Sequence, residues 1–420
     1  NGSTTVCSNA PAFGLFAVLG GSPQPGGTWT GPGGGSVSAT YTPGVSSPGV
    51  YTYTLAGTAP CLASTSTVTV TQVTAPNAGI DRSLVVCSND APFSMRSQLN
   101  GTPAAGGTWV GPAGAHGDLF NPAVDPPGNY TYTVLGTAPC ANAIAVLSIT
   151  VRTAPRAGTS ASITVCSTDA SFALFSVLGG TPDNGGTWTA PGGAAHPGTF
   201  IPGTSIAGVY TYTVIGQSPC VPATATVTVA VNTAPNAGTN ANVVRCSNDT
   251  PFGLFGQLGG TPNAGGTWSG PNGPHSGTFT PGVDTPGPYT YTVVGLSPCA
   301  NATAVVNVSV VTAPNAGTNG SSTVCSNNAP FALIGILGGT PDATGSWSGP
   351  AGVRNGTFTP GTSAEGVYTY TVIGTAPCAN ATATVTVTVV PAPVAGSNGS
   401  LTICSDQGPV GLFTFLGGSP

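Results

Sequence analysis

Charge is what this sequence has least of. Only 4% of its 420 residues are Asp, Glu, Lys or Arg; lysine is absent and the six basic residues are all arginine. A protein that neutralises phosphates needs clustered Lys and Arg, so nucleic-acid binding is excluded as a class. No apolar run reaches the ~18 residues that mark a membrane-spanning helix. Helical periodicity is missing as well. Methionine occurs once and histidine three times. Nucleophile motifs are absent, and the chain reads as no enzyme.

Glycine and proline, 64 and 41 residues, are abundant. That bias alone suggests disorder, but disorder goes with few β-branched and aromatic residues, and here they recur in register. The phrase "GVYTYTVIGTAPC" at 366–378 returns almost unchanged, ending at Cys61, Cys140, Cys220 and Cys299. Five more cysteines, Cys7, Cys87, Cys166, Cys246 and Cys325, each precede a tryptophan by 22 residues, and Cys404 opens a further unit. The gaps between successive cysteines alternate between 53 or 54 and 26, a period of 79 or 80 residues. The expected organisation is five repeats over 1–73, 74–152, 153–232, 233–311 and 312–390, with the start of a truncated sixth over 391–420. The whole reads as a window from a longer array.

Regular cysteines point to an oxidising compartment. Pairing neighbours 26 apart would mean recrossing the strand "LASTSTVTVTQV", about 40 Å at ~3.3 Å per residue, whereas bridged Cα atoms lie within ~7 Å. The expected pairing is therefore inside each repeat: Cys7 with Cys61, Cys87 with Cys140, Cys166 with Cys220, Cys246 with Cys299 and Cys325 with Cys378. Cys404 stays unpaired by truncation.

Within a repeat, "CANATATVTVTVV" alternates strictly. Ala381, Ala383, Val385, Val387 and Val389 share one face and Thr382, Thr384, Thr386 and Thr388 the other, the pattern of a half-buried strand. "YTYTV", then "GTAPC" as a turn, then this strand make a closing hairpin. "GGTWSGP" and "GTFTPG" read as middle strands and "STVCS" as the opening one. "PFGLFGQLGG" fits a helical turn or a strand. Several short strands per repeat mean an all-β, Ig-like sandwich. The "TAPNAG"-type spacers are short and carry a proline, so the repeats are expected end to end, a rod of roughly 200 Å for five units of ~40 Å.

The consensus "TAPNAG…VCSND.PF.LF..LGGTP..GGTWSGP…GTFTPG….G.YTYTV.G..PCANATATVTVTV" resembles the Ig-like and PKD-like repeats of very long Bacteroidota surface proteins. The resemblance covers the whole chain. It implies a gliding-motility-associated, type IX-secreted adhesin-type protein at the cell surface.

Candidate chemistry is sparse. His116, His196 and His275 occupy equivalent loops with no acid or cysteine beside them at ligand spacing, and read as surface residues. Asp90, Asp169, Asp249 and Asp406 follow cysteines and read as turn caps, with one weak calcium at a domain junction as the alternative. No cofactor or metal is expected. The tryptophans read as core rings packed on the disulfide, or else as exposed rings that stack on sugars. Thr382, Thr384, Thr386 and Thr388 are a solvated face, candidate O-glycan sites, or an ice-binding row. Mean hydropathy is +0.23, so so uncharged a surface calls for a cover of sugar or of neighbouring chains. Ten Asn-X-Ser/Thr sequons, at Asn1, Asn100, Asn129, Asn248, Asn301, Asn307, Asn319, Asn355, Asn380 and Asn398, mostly do not recur from repeat to repeat. The function expected is a structural segment of an extracellular fibre or adhesin stalk whose partners are further repeats or copies of itself. The alternatives are a carbohydrate-binding array and a spacer for an enzyme or binding domain elsewhere.

Overall fold

A computed structural model describes residues 1–418. The chain is all-β, and the helical pieces among the described residues are 3-10 turns of three or four residues. In the first repeat the strands are β1 (Gly2–Cys7), β2 (Phe13–Gly14), β3 (Thr28–Thr30), β4 (Ser36–Val37), β5 (Thr40–Tyr41), β6 (Gly49–Leu55) and β7 (Ser64–Val73). One sheet runs β1-β7-β6-β3-β4; a two-stranded sheet, β2-β5, faces it, and the same two sheets recur in all five repeats. β1 lies parallel to β7 while β7, β6, β3 and β4 are mutually antiparallel, the arrangement of an Ig-like sandwich.

Alternation along β6 and β7 builds the core. In the second repeat Tyr130 pairs with Leu147 and Tyr132 with Ala145 across the closing hairpin, all pointing inward with Trp109, Phe120 and Met95. An aromatic side chain buries roughly 200 Å², about 5 kcal/mol each at ~25 cal/mol per Å². "PFGLFGQLGG" resolves into both expected shapes in turn: Phe252–Gly253 is a strand on the small sheet and Phe255–Gln257 a 3-10 turn. Leu254 between them is fully buried.

The two tyrosines of the repeated phrase have separate tasks. The first is a tyrosine corner: the hydroxyls of Tyr51, Tyr130, Tyr210, Tyr289 and Tyr368 each donate to the carbonyl four residues upstream. Burial, then the Asp125 carboxylate, pushes the Tyr130 hydroxyl above its ordinary value, and burial with Asp284 does the same for Tyr289. The second tyrosine stacks on the tryptophan, at 4.8 Å between ring centres for Trp109–Tyr132 and 5.0 Å for Trp268–Tyr291. The tryptophans are core rings, but their stacking partner is this tyrosine and not the disulfide.

The disulfides depart from expectation in their partners. They join Cys7 to Cys140, Cys87 to Cys220, Cys166 to Cys299 and Cys246 to Cys378, each bridging one repeat to the next. Cys61, Cys325 and Cys404 are unpaired. The physical reason is the parallel edge. Cys7 stands opposite Val73, the last residue of β7, whereas Cys61 precedes Ser64, its first. The ten-residue strand puts the two cysteines about 30 Å apart at ~3.3 Å per residue. A repeat thus carries one cysteine at its exit end and one at its entrance end, and the exit of one repeat meets the entrance of the next.

By internal contacts the chain divides into two compact bodies, 1–164 with 170–230, and 165–169 with 231–420. Each body holds two of the four disulfides.

Candidate functional site at the stapled junction

Each junction is built from a strand end, a linker and the corner of the following repeat. At the first, the Cys7 and Cys140 Cα atoms are 4.9 Å apart, and the Cys140 Sγ lies 3.5 Å from the carbonyl oxygen of Val73. Both cysteines are buried. The serine after each strand-end cysteine holds the linker: Ser8, Ser88, Ser167, Ser247 and Ser326 accept through Oγ from the backbone N–H of Ala75, Ala154, Ala234, Ala313 and Ala392, at 2.9–3.0 Å. On the far side the linker is tied to the loop before the tryptophan strand. Asn236 N–H donates to Asn263 Oδ1 at 2.7 Å, and Arg156 and Asn315 donate likewise to Asp183 and Asp342 at 2.8 Å. The linker alanines Ala78, Ala157, Ala237 and Ala316 are buried. Gly79, at φ +89°, takes a left-handed turn that few other residues accept and passes into the bridge between Ile80 and Asn100. The "TAPNAG" segment is therefore a fixed element with a partner on each side.

The serines were missed in the sequence because serine is common here, and only the recurrence of "CS" in every repeat could have flagged them. Asp90, Asp169 and Asp249 do cap turns: Oδ2 of each accepts from the N–H of the cysteine three residues earlier, at 2.8–3.0 Å.

The outer face of the large sheet is a grid of hydroxyls. In the fifth repeat Ser346, Thr371 and Thr382 line up across three strands, and Ser348, Thr369 and Thr384 form the next row. Thr386 pairs with Ser321 and Thr388 with Thr323 on the parallel edge. Thr382, Thr386 and Thr388 are exposed and Thr384 is half-buried. Neighbouring hydroxyls are spaced about 4.8 Å across strands and roughly 6.6 Å along them. Several sequon asparagines are already engaged: the Oδ1 atoms of Asn301, Asn319 and Asn380 accept from the backbone N–H of Gly295, Thr384 and Gly374.

The histidines stand on the strand beside the tryptophan and pack against the corner tyrosine, at 5.1 Å between ring centres for His116–Tyr130 and 4.7 Å for His275–Tyr289. An acid does stand beside two of them, contrary to the sequence reading. His116 Nε2 is 3.4 Å from Asp125 Oδ1, and His275 Nε2 is 3.7 Å from Asp284 Oδ2. The acid sits nine residues downstream in both repeats and is brought back by the intervening strand and turn. In the third repeat Ser205 takes that place and accepts from the backbone N–H of Ile201, as Asp125 and Asp284 do from Asn121 and Thr280, so His196 has no acid there.

No protein-family model matches the chain, and no curated protein matches it. Solved structures do. The chain is similar to Sidekick-1 immunoglobulin domains 1–5, at 12% identity over 87% of this chain and 92% of that one, with a TM-score of 0.24. It is similar to the I-band fragment I67–I69 of titin, at 13% identity over 56% and 96%, TM-score 0.30. It is similar to the insect immune protein hemolin, at 14% identity over 75% and 100%, TM-score 0.27. The chain is a tandem array of Ig-like domains. Its strand order, the small facing sheet and the tyrosine corner are those of an Ig-like domain in each repeat.

The staggered pairing of this Ig array sets its free thiols. Eleven cysteines less two for each of four bonds leave three. Titration of the unfolded, unreduced 420-residue chain with a chromogenic disulfide should release three equivalents of thiolate. Pairing within repeats would release one.

Proposed function

We propose that the chain is a structural segment of an extracellular stalk or adhesive fibre at the cell surface, with no catalytic role of its own. The observation that carries this reading is the junction. Every linker between complete repeats is hydrogen-bonded on both sides and bypassed by a disulfide, so a pull on one repeat passes to the next through two covalent paths. Such bonds form and persist in oxidising compartments. The sheet face is the second support. It carries hydroxyls, and Val50, Val209 and Val367 stand exposed among them with almost no charge around. A surface of this kind is kept apart from its neighbours by attached sugar, and O-linked glycans on the exposed threonines are the cover we assign to it. The resemblance to Bacteroidota surface repeats favours type IX export and partners that are further repeats of the same kind.

The test is a mass. Trypsin followed by reduction gives a peptide that begins at Asn355, after the cut at Arg354, and contains Thr382, Thr384, Thr386 and Thr388. From protein taken from its natural source this peptide should appear heavier by whole sugar units, which β-elimination removes. A peptide of bare mass in every preparation ends the glycan-covered reading.

A further inference from the structure

We infer that the staggered disulfides make the array tolerant of backbone cleavage, so that a single proteolytic nick leaves it covalently whole. The bonds enclose 7–140, 87–220, 166–299 and 246–378. These intervals overlap. Every peptide bond between Cys7 and Cys378 therefore lies inside at least one of them, and those in 87–140, 166–220 and 246–299 lie inside two. Pairing within repeats would protect the repeats and leave every linker open, with a cut between Cys61 and Cys87 severing the chain.

The stagger is a specific answer to a specific hazard. Extracellular proteases take exposed loops and connections between domains. The loop 112–115 of the second repeat is exposed, as are the equivalents after each tryptophan strand. All six arginines, from Arg82 to Arg354, fall inside the enclosed span. The property belongs to the covalent graph alone and does not depend on what covers the sheet face. Separating the two sides of a single nick then needs two kinds of chemical event. Water must hydrolyse a peptide bond, and a dithiol must be oxidised while it returns each spanning cystine to two thiols.

The full chain, with free thiols blocked by N-ethylmaleimide, is unfolded in urea and digested to completion with trypsin. Without reductant, 1–82 should remain bound to 97–152. Peptides 83–96, 157–245, 246–354 and 355–420 should form a second body, and 153–156 should be free. Recovery of 157–245 alone, or of 83–96 bound to 97–152, would overturn the inference. A second experiment makes one cut in the folded protein, at a site-specific protease sequence placed in the loop 112–115. The cut chain should run as one species in non-reducing detergent gels and as two after reduction. With Cys7→Ser and Cys140→Ser together and the same site moved to follow Arg82, the fragment up to Arg82 should come away without reductant. Two species from the unreduced parent, or one from this variant, would sink the idea.

Discussion

Alanine at Tyr291 is expected to leave the fourth repeat at or past the edge of unfolding. Its ring is 2% exposed and stacks on Trp268 at 5.0 Å. Its hydroxyl donates to Asn263 O and accepts from Gly266 N–H, both at 2.8 Å. Deleting a buried aromatic ring costs about 3–5 kcal/mol, because the site cannot collapse onto the void. The loss also strands two backbone groups that the hydroxyl served, at roughly 1–3 kcal/mol for each left unpaired. A small domain has only ~5–15 kcal/mol in hand. Phenylalanine keeps the ring and loses only the hydroxyl, so Tyr291→Phe should cost about 2 kcal/mol. Urea unfolding of the two variants, followed by Trp268 fluorescence in a chain whose other tryptophans are replaced by phenylalanine, reads both numbers. Equal costs for Ala and Phe would show that the stack with Trp268 contributes little.

The same packing explains a residue that looks dispensable. A Cβ on Gly266 would lie 2.6 Å from the Tyr291 ring and 2.5 Å from Thr292 O. The glycine two residues before each tryptophan, Gly27, Gly107, Gly186, Gly266 or Gly345, is fixed by this close approach.

Much of this was legible in the sequence, for a physical reason. Alternation in "TATVTVTV" has one structural meaning, and a phrase repeated five times must serve the same packing five times. The partner of each cysteine was not legible. Spacing along the chain says how far apart two residues are in sequence, but not at which end of a domain each emerges. The length of the β7-type strand was the information needed. It excludes Cys61 with Cys87 and, once β1 is known to run parallel to β7, excludes Cys7 with Cys61 by the same length. Parallel pairing of a first strand with a last one leaves no local signal. His116 and Asp125 were missed similarly, since nine residues of strand and turn separate them before the fold returns one to the other.

Reduction of the four disulfides is expected to lower the melting temperature by on the order of 20 °C and to change how many repeats melt together. Each bond closes a sequence separation of 132 or 133 residues, which restricts the unfolded chain by about 5 kcal/mol in the loop-entropy account. One kcal/mol moves the midpoint of a domain of this size by roughly 4–8 °C; the overlap of the loops, which makes their effects less than additive, brings the total down to the figure above. The change in cooperativity is the sharper consequence. A bond inside a repeat would stabilise that repeat and leave its neighbours indifferent. A bond from one repeat's exit to the next one's entrance holds the unfolded segments of both, so opening either removes an anchor from the other. Arrays of this kind melt as nearest-neighbour systems in which the interface term sets the size of the cooperative unit. Calorimetry separates the cases. In the oxidised chain the ratio of van't Hoff to calorimetric enthalpy should correspond to a unit larger than one repeat, and after reduction it should fall to about one repeat. If the ratio and the midpoint are both unchanged by reduction, the hydrogen-bonded linkers alone couple the domains and the disulfides serve only covalent continuity.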